Sequence, residues 1–210
     1  MKVAIYTGKG ASLSKDVMIA LRKIKIPFQE IDEKGVFQGK LDNFSAFIVP
    51  GGWPEKYAYS LRKKGYNKIR KFVSNGGKYI GICAGAYLAS KKFKTDESDF
   101  TGLGLANPTA EMEIRKILPG RIREIKLSKH ALSNGCPHKM KIWYMNGPVF
   151  KSNKKMKVIA KYENNNTAII SSKYGKGSII LFSPHPEGNL EGKIDPKKYG
   201  TIKLLKNALV

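Results

Sequence analysis

Short apolar runs and helix-spaced segments alternate through the first half of the chain. Val3 to Tyr6 reads as a buried strand, Phe28 to Ile31 as a second, Ala46 to Val49 as a third and Lys78-Tyr79-Ile80-Gly81-Ile82 as a fourth. Between them, Val17, Leu21 and Ile24 recur at helical spacing behind Ser12 or Ser14, either of which can cap a helix. Ile69, Phe72 and Val73 mark another helix, and Asn75-Gly76-Gly77 supplies its C-terminal stop. Strand alternating with helix predicts an α/β fold, a mainly parallel, doubly wound sheet with helices on both faces. The second half is more strand-rich. Ile122 to Leu127, Lys141 to Tyr144, Val158 to Tyr162, Ala168 to Ser172 and Ser178 to Phe182 are strand candidates. Asn164-Asn165-Asn166 and Gly175-Lys176-Gly177 read as hairpin turns, and Ile202, Leu205 and Leu209 give the tail a helical period. Thr95 to Pro108 is the most loop-like stretch, expected to border the site. No internal repeat or long linker divides residues 1–210, so a single domain is expected.

The fourth strand runs into Gly81-Ile82-Cys83-Ala84-Gly85, followed by the small-residue stretch Ala86 to Ser90. Gly-x-Nuc-x-Gly between strand and helix is the nucleophile-elbow pattern, here with cysteine at the apex. The apex residue is held in a strained conformation, and flanking glycines let strand and helix approach without a clash. The helix N-terminus points at the sulfur and favours the thiolate. By itself the pentad is equally compatible with a buried cysteine at a Gly/Ala-rich helix start. A second segment changes the balance. The last strand candidate leads directly into Ser183-Pro184-His185-Pro186-Glu187. Residues two apart on an extended segment face the same side, so His185 and Glu187 can serve one site. A thiolate needs a base, and that base needs a carboxylate to hold its tautomer and stabilise the imidazolium. Cys83, His185 and Glu187 supply these roles.

The chain resembles class I glutamine amidotransferase-type domains in its Gly-x-Cys-x-Gly elbow, its His-Pro-Glu ending and the strand-plus-turn Phe47-Ile48-Val49-Pro50-Gly51-Gly52-Trp53. The resemblance implies that the Pro-Gly-Gly loop donates backbone N–H groups to an oxyanion hole, with Gly52 and Ala84 as the donors. Losing one such donor typically slows an enzyme ~100- to 1000-fold. Within that superfamily the likeness is narrower, to the domain at the N-terminus of eukaryotic biotin-protein ligases and in stand-alone prokaryotic proteins. It is carried by residues 81–90, by Trp143-Tyr144-Met145-Asn146-Gly147-Pro148-Val149-Phe150 and by the strand ending in His185-Pro186-Glu187, and it runs from Met1 to about Asn189. Two departures bear on substrate. Tyr87 stands where many glutaminases have Gln, and Trp53-Pro54 replaces small polar residues after the glycines. The resemblance therefore implies thiol chemistry on a C–N bond of a small-molecule amide or acyl substrate without implying glutamine. Gly51, Trp53, Tyr87 and Asn146 are the residues expected to line the pocket, although Asn146-Gly147 reads equally well as a plain strand-end turn. No cofactor is implied. Any ammonia-using synthetase or ligase partner is expected to be a separate protein.

Composition adds a second line. The chain has 39 Lys and Arg against 16 Asp and Glu, a formal charge of +23, with 41% hydrophobic and 10% aromatic residues. That is a globular composition with an unusual field, one that attracts polyanions. The lysines are scattered and the clusters Arg62-Lys63-Lys64 and Lys154-Lys155 are short. Weak, non-specific adsorption to nucleic acid is expected rather than a dedicated site. Two cysteines, Cys83 and Cys136, make no disulfide framework, and a bridge would disarm Cys83; reduced thiols and a cytoplasmic location are expected. Cys136-Pro137-His138 lacks a second ligand pair, so no metal site is expected. No apolar run approaches the ~18 residues of a membrane helix. Two other classes stay open. One is the thiol-dependent stress and aldehyde-handling group on the same architecture, against which Thr7-Gly8-Lys9-Gly10 lacks the acidic residue usual after the first strand. The other is a non-catalytic binding or regulatory module that uses the positive surface.

Overall fold

The computed structural model describes residues 2–94, 99–106, 110–112, 119–150 and 156–210. In chain order the first half contains β1 (Val3–Tyr6), α1 (Ser14–Lys23), β2 (Phe28–Ile31), α2 (Glu33–Phe37), β3 (Ala46–Val49), α3 (Pro54–Ser74), β4 (Lys78–Ile82) and α4 (Ala84–Ala89). Three short strands follow, β5 (Lys92–Lys94), β6 (Asp99–Thr101) and β7 (Ala110–Met112). The remainder is β8 (Arg121–Leu127), β9 (Lys139–Tyr144), β10 (Pro148–Phe150), β11 (Lys157–Tyr162), β12 (Thr167–Tyr174), β13 (Gly177–Phe182) and α5 (Ile202–Leu209).

Among the described residues nine strands form one sheet in the order β2-β1-β3-β4-β13-β12-β11-β8-β9. From β2 to β13 every pairing is parallel. From β13 outward every pairing is antiparallel. The parallel half needs both faces covered, and β1 and β3 are buried at every position. Alternate residues divide between two cores. Tyr6, Phe47 and Tyr79 pack with α2, α3 and α4, while Ile5, Ile48 and Ile80 pack with α1 and α5. A smaller sheet, β10-β7-β5-β6, forms a separate hydrogen-bonded unit whose Phe93 and Phe150 join the same core as Phe47 and Tyr79.

The hairpin turns form as expected. The Tyr162 N–H donates to Asn166 O at 2.8 Å, and Asn165 takes the positive φ of 65° that asparagine tolerates. Helix α1 differs from expectation at its start. Neither Ser12 nor Ser14 caps it with a side chain; Leu13 is the N-cap, and its N–H donates to Gly51 O at 3.2 Å. A contact with the loop after β3, not a local cap, sets where the helix begins. The Thr95 to Pro108 stretch is not uniformly a loop, since Asp99–Thr101 is a strand paired with β5; residues 95–98 and 107–108 of it lie outside the described residues, as do Lys154 and Lys155.

Candidate active site

The topology brings β4 and β13 together as central parallel neighbours, with Ile82 opposite Phe182. Both strands therefore stop at the same level, and the residues that follow them share the carboxyl edge of the sheet, where α/β folds place their ligands. Cys83 follows β4 at φ 48°, ψ −103°. A non-glycine residue there stores on the order of 1–3 kcal/mol and persists only because its surroundings fix it. They do so through the backbone. The Cys83 N–H donates to Phe182 O at 2.8 Å, and the Cys83 carbonyl accepts from Ala86 and Tyr87 at 2.9 and 3.0 Å. The elbow glycines are sterically required. A Cβ on Gly81 would fall 2.6 Å from Gly85 O, and one on Gly85 would collide with Val49 O.

His185 and Glu187 leave β13 on one side of the chain. The His185 N–H donates to Trp143 O at 2.8 Å, which ties the loop to the end of β9. In the side chains, Nδ1 donates to Glu187 Oε1 at 2.8 Å, and both groups are fully buried. That bond leaves Nε2 as the nitrogen open to chemistry, and among the described residues it has no partner in hydrogen-bonding geometry. Burial opposes a charge on this ring. The Glu187 carboxylate and the neighbouring Cys83 thiol overcome that penalty and lift the His185 pKa above its ordinary value. Cys83 itself is nearly buried, at 7% exposure, and its Sγ donates to Met145 O at 3.4 Å.

The Pro-Gly-Gly loop closes the third side. A Cβ on Gly51 would sit 2.7 Å from His185 Cε1, so the bare backbone there is what lets the imidazole lie against the loop. Gly52 has φ 150°, and a Cβ on it would collide with Gly10 O. The loop is tied to the elbow helix by the Gly85 N–H donating to Pro50 O at 3.2 Å, and to α3 by the Tyr57 hydroxyl donating to the same oxygen at 3.0 Å. Among the described residues the N–H groups of Gly52 and Ala84 donate to no acceptor.

The aromatic residues expected to wall a pocket are placed differently. Tyr87 is 3% exposed, packs edge-on to Phe93 and donates its hydroxyl to Asn146 O at 3.0 Å. Its role here is to brace the 144–147 segment, because α4 turns this ring into the core. Trp53 is 45% exposed, with the Lys56 ammonium 5.1 Å from its ring centroid. As the N-cap of α3 it contributes backbone to the fold while the indole meets solvent. Asn146 takes φ 52° directly after Met145, the residue whose carbonyl meets the thiol. Met145 escaped sequence reasoning because a carbonyl contact has no side-chain signature. Asp16, buried on α1, was missed because an acid in a first turn reads as a response to the helix dipole. Cys136 lies elsewhere and is half-buried, and burial pushes its thiol pKa up. Among the described residues no three His, Cys, Asp or Glu side chains cluster as metal ligands, and no helix is long and apolar enough to cross a membrane.

The fold is that of class I glutamine amidotransferase-like α/β proteins. The PurLQS structure from Thermotoga maritima superimposes with a TM-score of 0.76 at 18% identity, covering 99% of this chain and 97% of that one. A candidate GMP synthase component from Thermoplasma acidophilum gives a TM-score of 0.69 at 13% identity, covering 100% and 92%. At these identities the likeness is one of fold. The chain belongs to the family described as "Biotin-protein ligase, N terminal", whose model matches residues 1–102 and 118–207. A biotin–protein ligase from Schizosaccharomyces pombe is 29% identical over 91% of this chain, and the chain spans only 34% of that ligase's length. An uncharacterized protein from Chlamydia muridarum is 26% identical over 89% of the chain and 80% of its own length.

Proposed function

We propose that this chain is a cysteine-dependent amidohydrolase or acyl-transfer enzyme acting on a C–N bond. The observation that carries the reading is a strained cysteine on one strand end beside a carboxylate-anchored histidine on the next. In the proposed reaction the Cys83 proton passes first to His185 Nε2, whose raised pKa holds it there, and Sγ then attacks the amide carbonyl as the thiolate. The tetrahedral oxyanion is held by the N–H groups of Gly52 and Ala84, neither of which donates to an acceptor among the described residues. Collapse expels the amine, which receives its proton from His185, and leaves a thioester on Cys83. Water, or a second nucleophile, then gives up a proton to His185, attacks the thioester and releases the acyl group while the thiol is restored. Glu187 orients the ring and stabilises its charged form throughout. Glutamine is not singled out as the substrate, because Tyr87 occupies the position where the resemblance would ask for Gln.

The test is covalent trapping. The protein is incubated with a panel of amides and electrophilic glutamine analogues, and adducts are mapped by mass. A Cys83 adduct that disappears in Cys83→Ala and forms at least ~100-fold more slowly in His185→Gln is expected. In the same samples Cys83 should outpace Cys136 in alkylation at mildly acidic pH. Equal alkylation of the two cysteines, with no adduct from any amide, would overturn the assignment.

The family membership and the net charge of +23 favour a second reading, a docking or regulatory module. On that reading the chain works alongside a separate ligase polypeptide, and its value survives Cys83→Ala. Retention of function in cells by that variant would favour it over catalysis.

A further inference from the structure

Helix α1 sends one carboxylate towards the site. Asp16 is 6% exposed, and its Oδ1 accepts the Leu190 N–H at 2.7 Å. Leu190 comes three residues after Glu187, on a loop that closes on itself between Asn189 and Ile194 through hydrogen bonds of 3.1 and 2.8 Å. The loop meets α1 a second time at the surface, where Lys23 pairs with Asp195 at 3.0 Å. On its other side the Thr201 hydroxyl donates to Pro186 O at 3.0 Å. Thus the backbone around Glu187 is held from α1 and from the start of α5. Asp16 and Glu187 also line one cleft of about 170 Å³ between α1 and the loop, and Glu187 Oε2 is buried with no hydrogen-bond partner among the described residues.

We propose that Asp16 is a positioning residue of the Cys83–His185–Glu187 site: by holding the Leu190 N–H it aims Glu187 at His185 Nδ1, and its charge stabilises the imidazolium. The inference rests on the catalytic reading above. An acid placed only to suit a helix N-terminus stays in water, whereas this one is withdrawn from it and spends its acceptor on a loop far away in sequence. Its environment agrees. Burial raises the Asp16 pKa and the Glu187 charge adds to the rise, while the Leu190 N–H and His185 oppose it. The charged groups facing Asp16 are Glu187 and His185 of the site, Glu191, Lys193 and Asp195 of the loop, and Lys23 of its own helix, which is occupied by Asp195. Those facing His185 are Glu187, Cys83 and Asp16.

Two variants separate the roles. Asp16→Asn keeps an oxygen for the Leu190 N–H and drops the charge, whereas Asp16→Ala drops both. His185 is titrated by 15N NMR, and Cys83 alkylation by iodoacetamide is followed against pH. In Asp16→Ala the His185 titration should move down by about one pH unit and alkylation near neutral pH should slow roughly tenfold. In Asp16→Asn the titration should move down by about half as much, with alkylation within roughly threefold of wild type. Unchanged His185 titration in both variants, with only a lower melting temperature, would reduce Asp16 to a structural residue and overturn the proposal. If Asp16→Ala does not fold, Asp16→Asn carries the test through the titration alone. His185→Gln in the wild-type background isolates the parent reading: undiminished Cys83 alkylation there counts against the triad, while the effect of Asp16 on the His185 titration is still measured.

Discussion

At the scale of single residues, the site is governed by a charge balance inside a closed environment. His185 is the clearest case. Its pKa is pushed up from 6.5 to about 10, with burial outweighed by Glu187 and Cys83. A group whose folded pKa lies above its unfolded one stabilises the fold fully below the unfolded value, and that contribution is lost as pH rises through the folded one. The stability advantage of wild type over His185→Gln should therefore be largest below about pH 6.5 and shrink between there and pH 10, at a slope approaching about 1.4 kcal/mol per pH unit. Urea unfolding of both proteins across this window measures it, and an advantage that grows with pH would show the ring to be buried neutral. The residues with chemistry were legible in the sequence because a thiol, an imidazole and a carboxylate are rare, directional groups at telling spacings. Their neighbours Met145 and Asp16 were not, because one acts through its carbonyl and the other through a contact 174 positions away.

At the scale of elements, legibility followed burial and length. The strands β1, β3, β4 and β13 stand out because their interiors are apolar and glycine or polar turns bound them. Helix α2 and the strands of the small sheet did not, because three to five residues cannot display a period. The first turns of α3 carried a readable signal in Pro54 at the first helical position, with Trp53 as N-cap. The turns between elements are where the site is most sensitive. Gly85→Ala should lower stability by about 2–3 kcal/mol, since its Cβ meets the Val49 backbone and no side chain can give way. Gly51→Ala should cost less but slow Cys83 alkylation, because the atoms in its path belong to side chains, the His185 ring and Leu13 Cδ1. Gly76→Ala is the control. It has open space around it and only the penalty of φ 118°, so it should cost about 1 kcal/mol and leave the thiol's reactivity unchanged. Thermal melts paired with alkylation rates distinguish the three. Equal effects on reactivity would show that loop position does not govern the thiol.

At the scale of the whole molecule, the sheet switches from parallel to antiparallel pairing at β13, next to the strand that carries the nucleophile. The alternation of strand and helix made the parallel half predictable. The antiparallel half was legible as hairpins, but the order in which they join the sheet was not, since nothing local specifies that β8 pairs with β11. Charge also acts at this scale. A net charge of +23 spread over scattered lysines should give weak, sequence-independent nucleic-acid binding that fades as salt rises. Filter binding of mixed-sequence oligonucleotides between roughly 50 and 300 mM salt, where screening changes most, tests it. A tight, sequence-selective complex at the upper end would promote the polyanion-binding reading.

The pairing of β4 with β13 joins segments about a hundred residues apart, and on the ribosome that separation becomes time. At ~5–20 residues per second, a nascent chain displays Cys83 for several seconds before His185 has been synthesised. During that interval the cysteine has no base beside it, and the strand whose carbonyl will fix its backbone does not yet exist. On the proposed catalytic reading the thiol gains its base only when β13 docks beside β4, so a rise in its reactivity reports that the last strand has joined the sheet.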